Sequence, residues 1–442
     1  MLRSGAGRKQ WRSDATPGFR GKAAAHQRRK THAFTGLNQD KGEMAMLLSL
    51  ALILFMGFAL GGLLQKMALP PLLGMMVTGA VLGPHVLGLI DGSILSISTE
   101  LRQIALIVIL LRAGLSLDVK DLRRVGRPAV LLCFVPATFE MLAVTLLAPP
   151  LLGVTRLDAA IMGAVLAAVS PAVVVPRMLR LMEGGWGQKH RVPQMVMAGA
   201  SVDDVYVIVL FTAFLGMAGG EGFHAETLLM VPLSIVLGLV LGAGAGLGMA
   251  WLFARIHMRD TVKVLLLLGM SFLLVSLEAA LKGTVPVSGL LAVMALGGAL
   301  LRQNAPLAKR IAGKYGKVWV AAELLLFTLV GAAVDVRYLG MAGLAAVALV
   351  LGALLFRTAG VLACLAGTRL TRGERAFTAI AYLPKATVQA AIGGIPLAMG
   401  MAAGNAILTV AVLAILITAP LGAIGIDRLY ARLLTRGEDR GA

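Results

Sequence analysis

The chain alternates between long apolar stretches and short polar connections. Thirteen stretches have a length near the roughly 20 apolar residues that one bilayer crossing requires. They cover residues 46–65, 70–90, 101–117, 128–150, 157–181, 193–216, 228–254, 261–281, 286–301, 317–334, 341–366, 376–398 and 404–425. The pattern therefore predicts an all-α polytopic membrane protein with thirteen transmembrane helices.

Composition supports this class and excludes others. Of the 442 residues, 58% are hydrophobic and 14% are charged, which is too apolar for a cytosolic enzyme. The two cysteines, Cys133 and Cys364, lie in apolar stretches and indicate neither a disulfide framework nor a metal cluster. The sequence contains no ATP-binding motif, so we expect an ion gradient to drive any transport. We expect no enzymatic activity and no cofactor.

Basic residues dominate the charge, with 41 Lys and Arg against 22 Asp and Glu. No nucleic-acid motif accompanies them, so we expect membrane lipids rather than nucleic acid as their partners. They concentrate in alternate connections, which the positive-inside rule assigns to the cytoplasm. The main positions are Lys120, Arg123, Arg124, Arg127, Arg177, Arg180, Lys189, Arg191, Arg255, Arg259, Lys263, Arg302, Lys309, Arg310, Lys314, Lys317, Arg369, Arg372, Arg375, Arg428, Arg432, Arg436 and Arg440. This alternation predicts a cytoplasmic C-terminal tail over residues 428–442 and a transmembrane domain over residues 44–427.

Residues 1–43 differ from the rest of the chain because they are basic, polar and free of long apolar runs. We predict that this tail is disordered. An odd number of spans would place it outside the membrane, which conflicts with its basic charge. Either a further N-terminal element holds the tail inside, or the working protein starts near Met44 or Met46. We favour the second interpretation.

Thirteen spans divide into six, one and six, so two six-helix repeats of inverted topology are possible. The fifth and twelfth spans would then be equivalent, and both contain helix-breaking residues. These are Pro171 and Pro176 in the fifth span, and Pro384, Gly393 and Gly394 in the twelfth. Paired breaks of this kind indicate a binding site near the membrane midplane.

Asp203 and Asp204 lie side by side near the middle of the sixth span, where carboxylates are costly and usually functional. Adjacent helical residues point about 100° apart, so one can face a cavity while the other faces a neighbouring helix. Such a carboxylate can hold either a proton or a small hard cation. The alternative is that the two acids only cap a broken helix or pair with a base.

Three further charges lie inside apolar stretches. Glu140 and Arg357 occupy equivalent spans of the proposed repeats, and we expect them to form an ion pair because isolated charges would be too expensive. Lys385 follows Pro384, where it could neutralise the carbonyl ends of half-helices or extend to the interface instead. Glu278 and Glu323 are weaker candidates, which we expect at interfaces or in helix pairing.

Several motifs resemble the monovalent cation–proton antiporters, over residues 46–426. The sequence is most similar to the sodium(lithium)/proton exchanger subfamily B of solute-carrier family nine and its bacterial relatives. The motifs are Pro71-Leu-Leu-Gly, Thr78-Gly, Leu82-Gly-Pro, Leu110-Leu-Arg-Ala-Gly-Leu, Ala168-Val-Ser-Pro-Ala-Val-Val-Val-Pro, Asp203-Asp204 and Leu383-Pro-Lys-Ala-Thr-Val-Gln-Ala-Ala-Ile-Gly.

The resemblance implies a homodimer in the bacterial inner membrane that works by elevator-like alternating access. A mobile core, about residues 101–216 and 341–425, would contain crossed discontinuous helices. The dimerisation scaffold would comprise about residues 46–90 and 228–334.

The resemblance also implies roles for single residues. Asp204 would bind the ion and the proton, with Asp203 as its partner. Glu140, Arg357, Lys385, Ser170 and Thr387 would support them. Many electrogenic relatives carry a lysine at the position of Arg357. An arginine cannot release its proton, so we predict electroneutral exchange of one Na+ or Li+ for one H+.

Two other functions are compatible with a polytopic chain. A gated cation channel would require a selectivity-filter loop, which the sequence lacks. A sodium-coupled symporter of an organic anion would require basic groups beyond Arg357 and Lys385. The sequence does not distinguish Na+ from Li+ or K+, since that choice depends on cavity size and ligand geometry.

Overall fold

The computed structural model describes residues 45–116, 126–218, 225–281 and 284–436. The predicted tail 1–43 and the basic positions Lys120, Arg123, Arg124 and Arg440 lie outside these ranges. Regular structure within them is helical, apart from one isolated bridge between Trp186 and Arg436. The helices are α1 (Ala45–Lys66), α2 (Pro71–Leu82), α3 (Gly92–Ser96), α4 (Ser98–Ser116), α5 (Arg127–Leu132), α6 (Val135–Leu152), α7 (Arg156–Ala167), α8 (Pro171–Glu183), α9 (Val192–Ala218), α10 (Ala225–Arg255), α11 (Asp260–Leu281), α12 (Gly289–Gln303), α13 (Ala305–Ala332), α14 (Val336–Cys364), α15 (Arg372–Ala381), α16 (Thr387–Ile392), α17 (Ile395–Ala398) and α18 (Gly404–Leu433).

Nine helical segments of the described chain are long and apolar enough to cross a membrane. Three shorter apolar segments, Pro71–Leu82, Gly289–Gln303 and Thr387–Ala398, coincide with further predicted stretches. The all-helical membrane architecture predicted from the apolar pattern is therefore confirmed. The count of thirteen spans and the inverted repeat stay predictions.

Two helices extend beyond the apolar stretches that predicted them. The tenth stretch was expected to begin at residue 317, but α13 begins at Ala305. The Asn304 side chain accepts a hydrogen bond of 3.1 Å from the Leu307 amide, which caps the helix in a polar segment. Similarly, α18 continues to Leu433, so the predicted tail from residue 428 begins as helix. Hydropathy locates the membrane-embedded part of a helix and not its polar extension.

One group of helices packs around α13. The helices α2 and α13 lie along each other, and α12 packs against α10, α11 and α13. Close approach requires glycine at Gly79, which lies against the backbone of Thr328, and at Gly331, which lies against the backbone of Met76. Small residues allow membrane helices to approach closely without a hydrophobic driving force. The helices of this group come from residues 46–90 and 228–334, for which a dimerisation scaffold stays a prediction.

The helix α4 belongs with this group by its packing. It lies against α12 and α13, with Gly114 on the backbone of Met294 and Gly297 on the backbone around Leu115. Only a few contacts join α4 to α16 and the rest of the predicted core. The core boundary at residue 101 stays a prediction, although this packing favours placing α4 with the group around α13. The small residues that decide this packing lie far apart in sequence.

The second group contains the two broken segments. The helix α6 packs along α14 and α7, α9 packs against α7 and α8, and α18 packs against α14, α15 and α7. This arrangement surrounds the break between α7 and α8 with helices that carry the predicted charged residues. The candidate site lies inside this group.

Candidate functional site

The first helix break separates α7 from α8. Ala168 and Ser170 have extended backbone, and Pro171 opens α8 in its first turn. A residue before proline avoids the helical conformation, while proline itself fits the first helical position. Pro176 lies inside α8, which continues through it to Glu183. The predicted break at Pro176 is therefore wrong, and the break lies before Pro171.

The second break separates α15 from α16. The chain leaves α15 after Ala381, and Pro384 lies in the non-helical stretch before Thr387. The Ser170 amide donates a hydrogen bond of 2.8 Å to the Pro384 carbonyl oxygen. The two breaks are therefore in direct contact. Gly393 and Gly394 form a second interruption of the twelfth predicted span, between α16 and α17.

Each of the last carbonyl groups before the first break has a side-chain donor. The Leu166 oxygen accepts from Lys385 Nζ at 2.6 Å and from Gln389 Nε2 at 3.2 Å. The Ala168 oxygen accepts from Gln389 Nε2 at 2.8 Å, and the Ala167 oxygen accepts from Arg357. Helix ends inside a membrane must be satisfied by protein groups, since water is absent. Lys385 thus contacts half-helix carbonyls, as its position after Pro384 led us to expect.

Arg357 connects both breaks with two acids. Its guanidinium group donates to Glu140 Oε2 at 2.7 Å, to Asp203 Oδ2 at 3.1 Å and, through Nε, to the Tyr382 carbonyl oxygen at 2.7 Å. The side chain is 0% exposed and lies over the Tyr382 ring. The ion pair expected between Glu140 and Arg357 is present. A planar guanidinium group with five donors can serve this many acceptors, whereas a lysine cannot.

Lys385 extends this cluster. Its Nζ atom lies 2.7 Å from Glu140 Oε2, the same oxygen that Arg357 contacts. Its backbone amide donates to Thr418 Oγ1 at 2.9 Å. Asp203 is held from the other side, since its Oδ2 atom accepts the Val169 amide at 2.8 Å. Four buried charges therefore balance in pairs around the two breaks.

Asp204 is the fifth buried charge. It is 6% exposed, and it forms no hydrogen bond or ion pair with the residues that the structure describes. The ionised cluster contains the carboxylates of Glu140, Asp203 and Asp204 but only two basic groups. One negative charge is left over, and Asp204 is the carboxylate without a cationic partner. This excess can be neutralised by one proton or one monovalent cation.

Other buried oxygen atoms near the breaks have no hydrogen-bond partner within the described ranges. They are Asp203 Oδ1, Asp204 Oδ1, Ser170 Oγ, Thr387 Oγ1 and Gln389 Oε1. Hydroxyl, amide and carboxylate oxygens are the ligands that hard cations prefer. The described part of the chain contains no cluster of three His, Cys, Asp or Glu side chains that could hold a metal ion.

Sequence reasoning missed three residues of this region. Gln389 donates to two carbonyls of the first break, Tyr382 provides a carbonyl for Arg357, and Thr418 accepts from the Lys385 amide. A polar side chain in the apolar run after Thr387 was a visible signal for Gln389. Nothing in the sequence distinguishes Tyr382 or Thr418 from ordinary packing residues.

The weaker candidates lie outside the cluster. Glu323 on α13 makes a side-chain hydrogen bond with Trp319 and lies in the field of Arg112. Glu278 on α11 lies beside Gly289. Both positions agree with the expectation of helix pairing.

The chain is similar to known sodium/hydrogen exchangers over most of its length. A family model described as "Sodium/hydrogen exchanger, transmembrane" matches residues 32–431. The Homo sapiens protein sodium/hydrogen exchanger 9B2 is 36% identical over 402 residues, which cover 86% of this chain and 73% of the human protein. Sodium/hydrogen exchanger 9B1 from Homo sapiens is 33% identical over 395 residues, covering 84% and 74% of the two chains.

The fold is also similar to a solved structure. The sodium proton antiporter MjNhaP1 from Methanocaldococcus jannaschii, determined at pH 8, superposes with a TM-score of 0.78. The match covers 90% of this chain and 100% of that one, at 22% sequence identity. At this identity the likeness concerns the fold alone.

Proposed function

The chain belongs to the transmembrane sodium/hydrogen exchanger family, as an integral membrane cation/proton antiporter, and we propose that Asp204 carries the exchanged ion. The observation that carries this proposal is the single excess negative charge of the buried cluster. Asp204 is buried and has no partner within the described residues. An ionised carboxylate in this state is unstable unless a cation or a proton joins it.

Exchange follows from competition at this carboxylate. When Asp204 holds a proton, the cluster is neutral and a cation is not needed. When Asp204 is ionised, one Na+ or Li+ restores neutrality, with oxygen ligands such as the Asp203 Oδ1 atom within the same buried region. The two ions therefore exclude each other, and each releases the other.

We assign one cation to one proton. Arg357 keeps its proton at accessible pH. The Lys385 Nζ atom is held between Glu140 Oε2 and the Leu166 carbonyl oxygen, and we assign it a constant charge through the cycle. Asp204 is then the one group of the cluster that changes its charge in the cycle, and exchange is electroneutral.

The support residues act by positioning. Glu140, Arg357, Lys385 and Ser170 join the two breaks through ion pairs and hydrogen bonds. This network holds the carboxylates on a rigid unit, which would move against the scaffold helices as an elevator. We place the dimer interface on the scaffold, with a second copy of the chain and membrane lipids as partners.

The two basic groups at the helix breaks are not available to the substrate of a symporter. An organic anion would require a free cationic side chain, but Arg357 and Lys385 are both engaged with carboxylates. If the organic anion displaced either carboxylate from its basic partner, that carboxylate would be left buried and unpaired. Breaking a buried ion pair in this way costs about 3–5 kcal/mol. Antiport does not require this step.

The test is exchange in proteoliposomes. We would reconstitute the wild type, impose a pH gradient, and record its dissipation on adding Na+, Li+ or K+. The wild type should dissipate the gradient with Na+ or Li+, and Asp204→Asn should not, because an amide can neither release a proton nor balance a cation. Asp260→Asn is the matched control, since Asp260 pairs with Arg310 and Lys263 away from the cluster.

Folding must be separated from transport. Each variant should elute as a single species and keep the wild-type thermal unfolding midpoint. Cation-dependent flux that persists in folded Asp204→Asn would contradict the assignment. Flux with none of the three cations in folded wild type would favour the symporter.

A further inference from the structure

A groove lies on the outer surface of the helix group that contains the ion site. It has a volume of about 410 Å³ and runs between α14 and α15. Its walls are Thr358 and Leu362 from α14, and Arg372, Arg375 and Ile380 from α15, with two alanines between them. None of these side chains takes part in the buried charge cluster.

The apolar part of the groove opens toward the membrane. Leu362 is 44% exposed, and Leu355 and Phe356 on the same helix are 72% and 46% exposed. Exposed apolar residues on a long membrane helix face lipid chains. A hydrocarbon chain can therefore enter the groove from the side.

Two arginines line the groove where α15 begins, Arg372 and Arg375. Arg372 is exposed, and Arg375 donates from Nη2 to the Thr368 carbonyl oxygen at 3.0 Å. The Nε atom of Arg375 is buried and has no hydrogen-bond partner in the described chain. Within the same ranges, neither arginine forms an ion pair with a carboxylate.

The neighbouring acid does not neutralise these arginines. Glu374 lies between them in sequence, but its carboxylate points inward and is 1% exposed. Its Oε2 atom lies 2.9 Å from His190 Nδ1 and accepts the Thr371 amide at 2.8 Å. Among the residues described by the structure, two guanidinium groups thus remain without a counter-charge beside an apolar groove.

We propose that this groove binds an anionic phospholipid. The phosphate contacts the guanidinium groups of Arg372 and Arg375, because guanidinium groups bind phosphate through paired hydrogen bonds. One acyl chain lies between Leu362 and Ile380, where each buried methylene adds to the affinity. Basic pockets beside membrane helices have the chemistry that recognises anionic headgroups.

The two halves of the groove distinguish a lipid from a soluble phosphate. A soluble phosphate would use the arginines and gain nothing from the apolar walls. A zwitterionic lipid would fill the apolar walls and gain little from the arginines. An anionic phospholipid is the occupant that uses both.

The experiment measures lipid retention by the full-length protein. Purified protein in detergent is titrated with equal amounts of phosphatidylglycerol and phosphatidylcholine, and bound lipid is counted by native mass spectrometry. The wild type should retain phosphatidylglycerol in preference. The double variant Arg372→Gln/Arg375→Gln should bind it about 25-fold more weakly, from about fivefold for each basic residue near an anionic headgroup.

The matched control removes the same charge elsewhere. Lys309→Gln/Lys314→Gln changes two exposed lysines of α13, on the side of the membrane where the basic connections are predicted. This control should bind phosphatidylglycerol as the wild type does. Equal loss in both double variants would overturn the proposal, since it would reflect overall charge.

A second variant tests the acyl chain without changing charge. In Ala376→Leu, a larger side chain at an exposed position of α15 fills the groove. If this variant does not fold, Leu362→Trp fills the groove from α14 instead. Retention of phosphatidylglycerol should fall in the folded variant. Full retention there, together with displacement of the lipid by glycerol phosphate, would identify a soluble-anion site and overturn the proposal. Equal retention of the two lipids by the wild type would also overturn it.

Discussion

The backbone amide of Ser170 donates a 2.8 Å hydrogen bond to the carbonyl oxygen of Pro384, which joins the two helix breaks. Each break exposes backbone groups that cannot find helical partners. The side chains that satisfy the first break come from the second break and from α14. The stability of either break therefore depends on the other.

Gln389 provides a direct test of this dependence. In Gln389→Leu, the Ala168 carbonyl oxygen loses the one donor that the described residues give it, whereas the Leu166 oxygen still has Lys385. One buried carbonyl without a partner costs about 1–3 kcal/mol, so the free energy of unfolding should fall by that amount. Denaturant titration in lipid–detergent micelles measures this change.

The control for this variant is Gln303→Leu. Gln303 ends α12 and is exposed, so its replacement should change the unfolding free energy little. Equal destabilisation of the two variants would show that the leucine itself, rather than the lost hydrogen bond, is responsible.

Glu140 tests the charge balance of the cluster. In Glu140→Gln, Arg357 and Lys385 lose the carboxylate oxygen that they share, which should destabilise the protein by about 3–5 kcal/mol. The remaining two acids and two bases sum to zero, so the cluster no longer requires a cation. We therefore expect cation-dependent proton flux in proteoliposomes to be lost as well.

A second substitution should restore function. In Glu140→Gln/Lys385→Met, one base is removed and the excess negative charge returns, with Arg357 still paired to Asp203. The double variant should regain cation-dependent flux and unfold at a higher denaturant concentration than Glu140→Gln. If the losses of flux and stability caused by Glu140→Gln and by Lys385→Met alone simply add in the double variant, the excess negative charge does not control cation binding.

Much of this architecture could be predicted from the chain. Apolar stretches indicated the membrane helices, the motifs around Asp203 and Pro384 indicated the antiporter family, and the family match confirms that resemblance. The expected pairing of Glu140 with Arg357 followed from the cost of isolated charges. These predictions were correct because each depends on composition, spacing or charge alone.

The remaining features depend on three-dimensional packing. Hydropathy cannot show that α4 packs with α13, because the deciding contacts, such as Gly297 against the Leu115 backbone, join distant segments. Pro176 was predicted to break a helix that continues through it. A polar side chain in an apolar run marks Gln389, but no local pattern indicates that its partners are carbonyls freed at a break on another helix.

Membrane potential tests the stoichiometry. A cycle that moved one net charge would gain or lose about 2.3 kcal/mol per 100 mV. Because Arg357 keeps its proton, we expect the wild-type exchange rate to stay the same when a potassium diffusion potential of either sign is imposed. A rate that follows the potential would contradict electroneutral exchange.

Arg357→Lys is the companion variant. A lysine can give up its proton during the cycle, so exchange by this variant should respond to the imposed potential. Lysine also cannot reach Glu140, Asp203 and the Tyr382 carbonyl at once, so the variant should be less stable than the wild type. The potential response, rather than the stability, carries the test, because a purely structural role for Arg357 would not change it.

Glycine contacts test the packing of the scaffold. An added methyl group at Gly79 would meet the backbone of Thr328, which cannot move without separating α2 from α13. Overpacking of this kind costs about 1–3 kcal/mol or more, so Gly79→Ala should lower the unfolding free energy by at least that much.

Gly62→Ala on α1 is the matched control, since an added methyl group there meets no atom within 4 Å. Alanine favours a helix interior over glycine by about 1 kcal/mol, so the control should be neutral or stabilising. If both variants behave alike under the same denaturant titration, close packing at Gly79 does not hold the scaffold together.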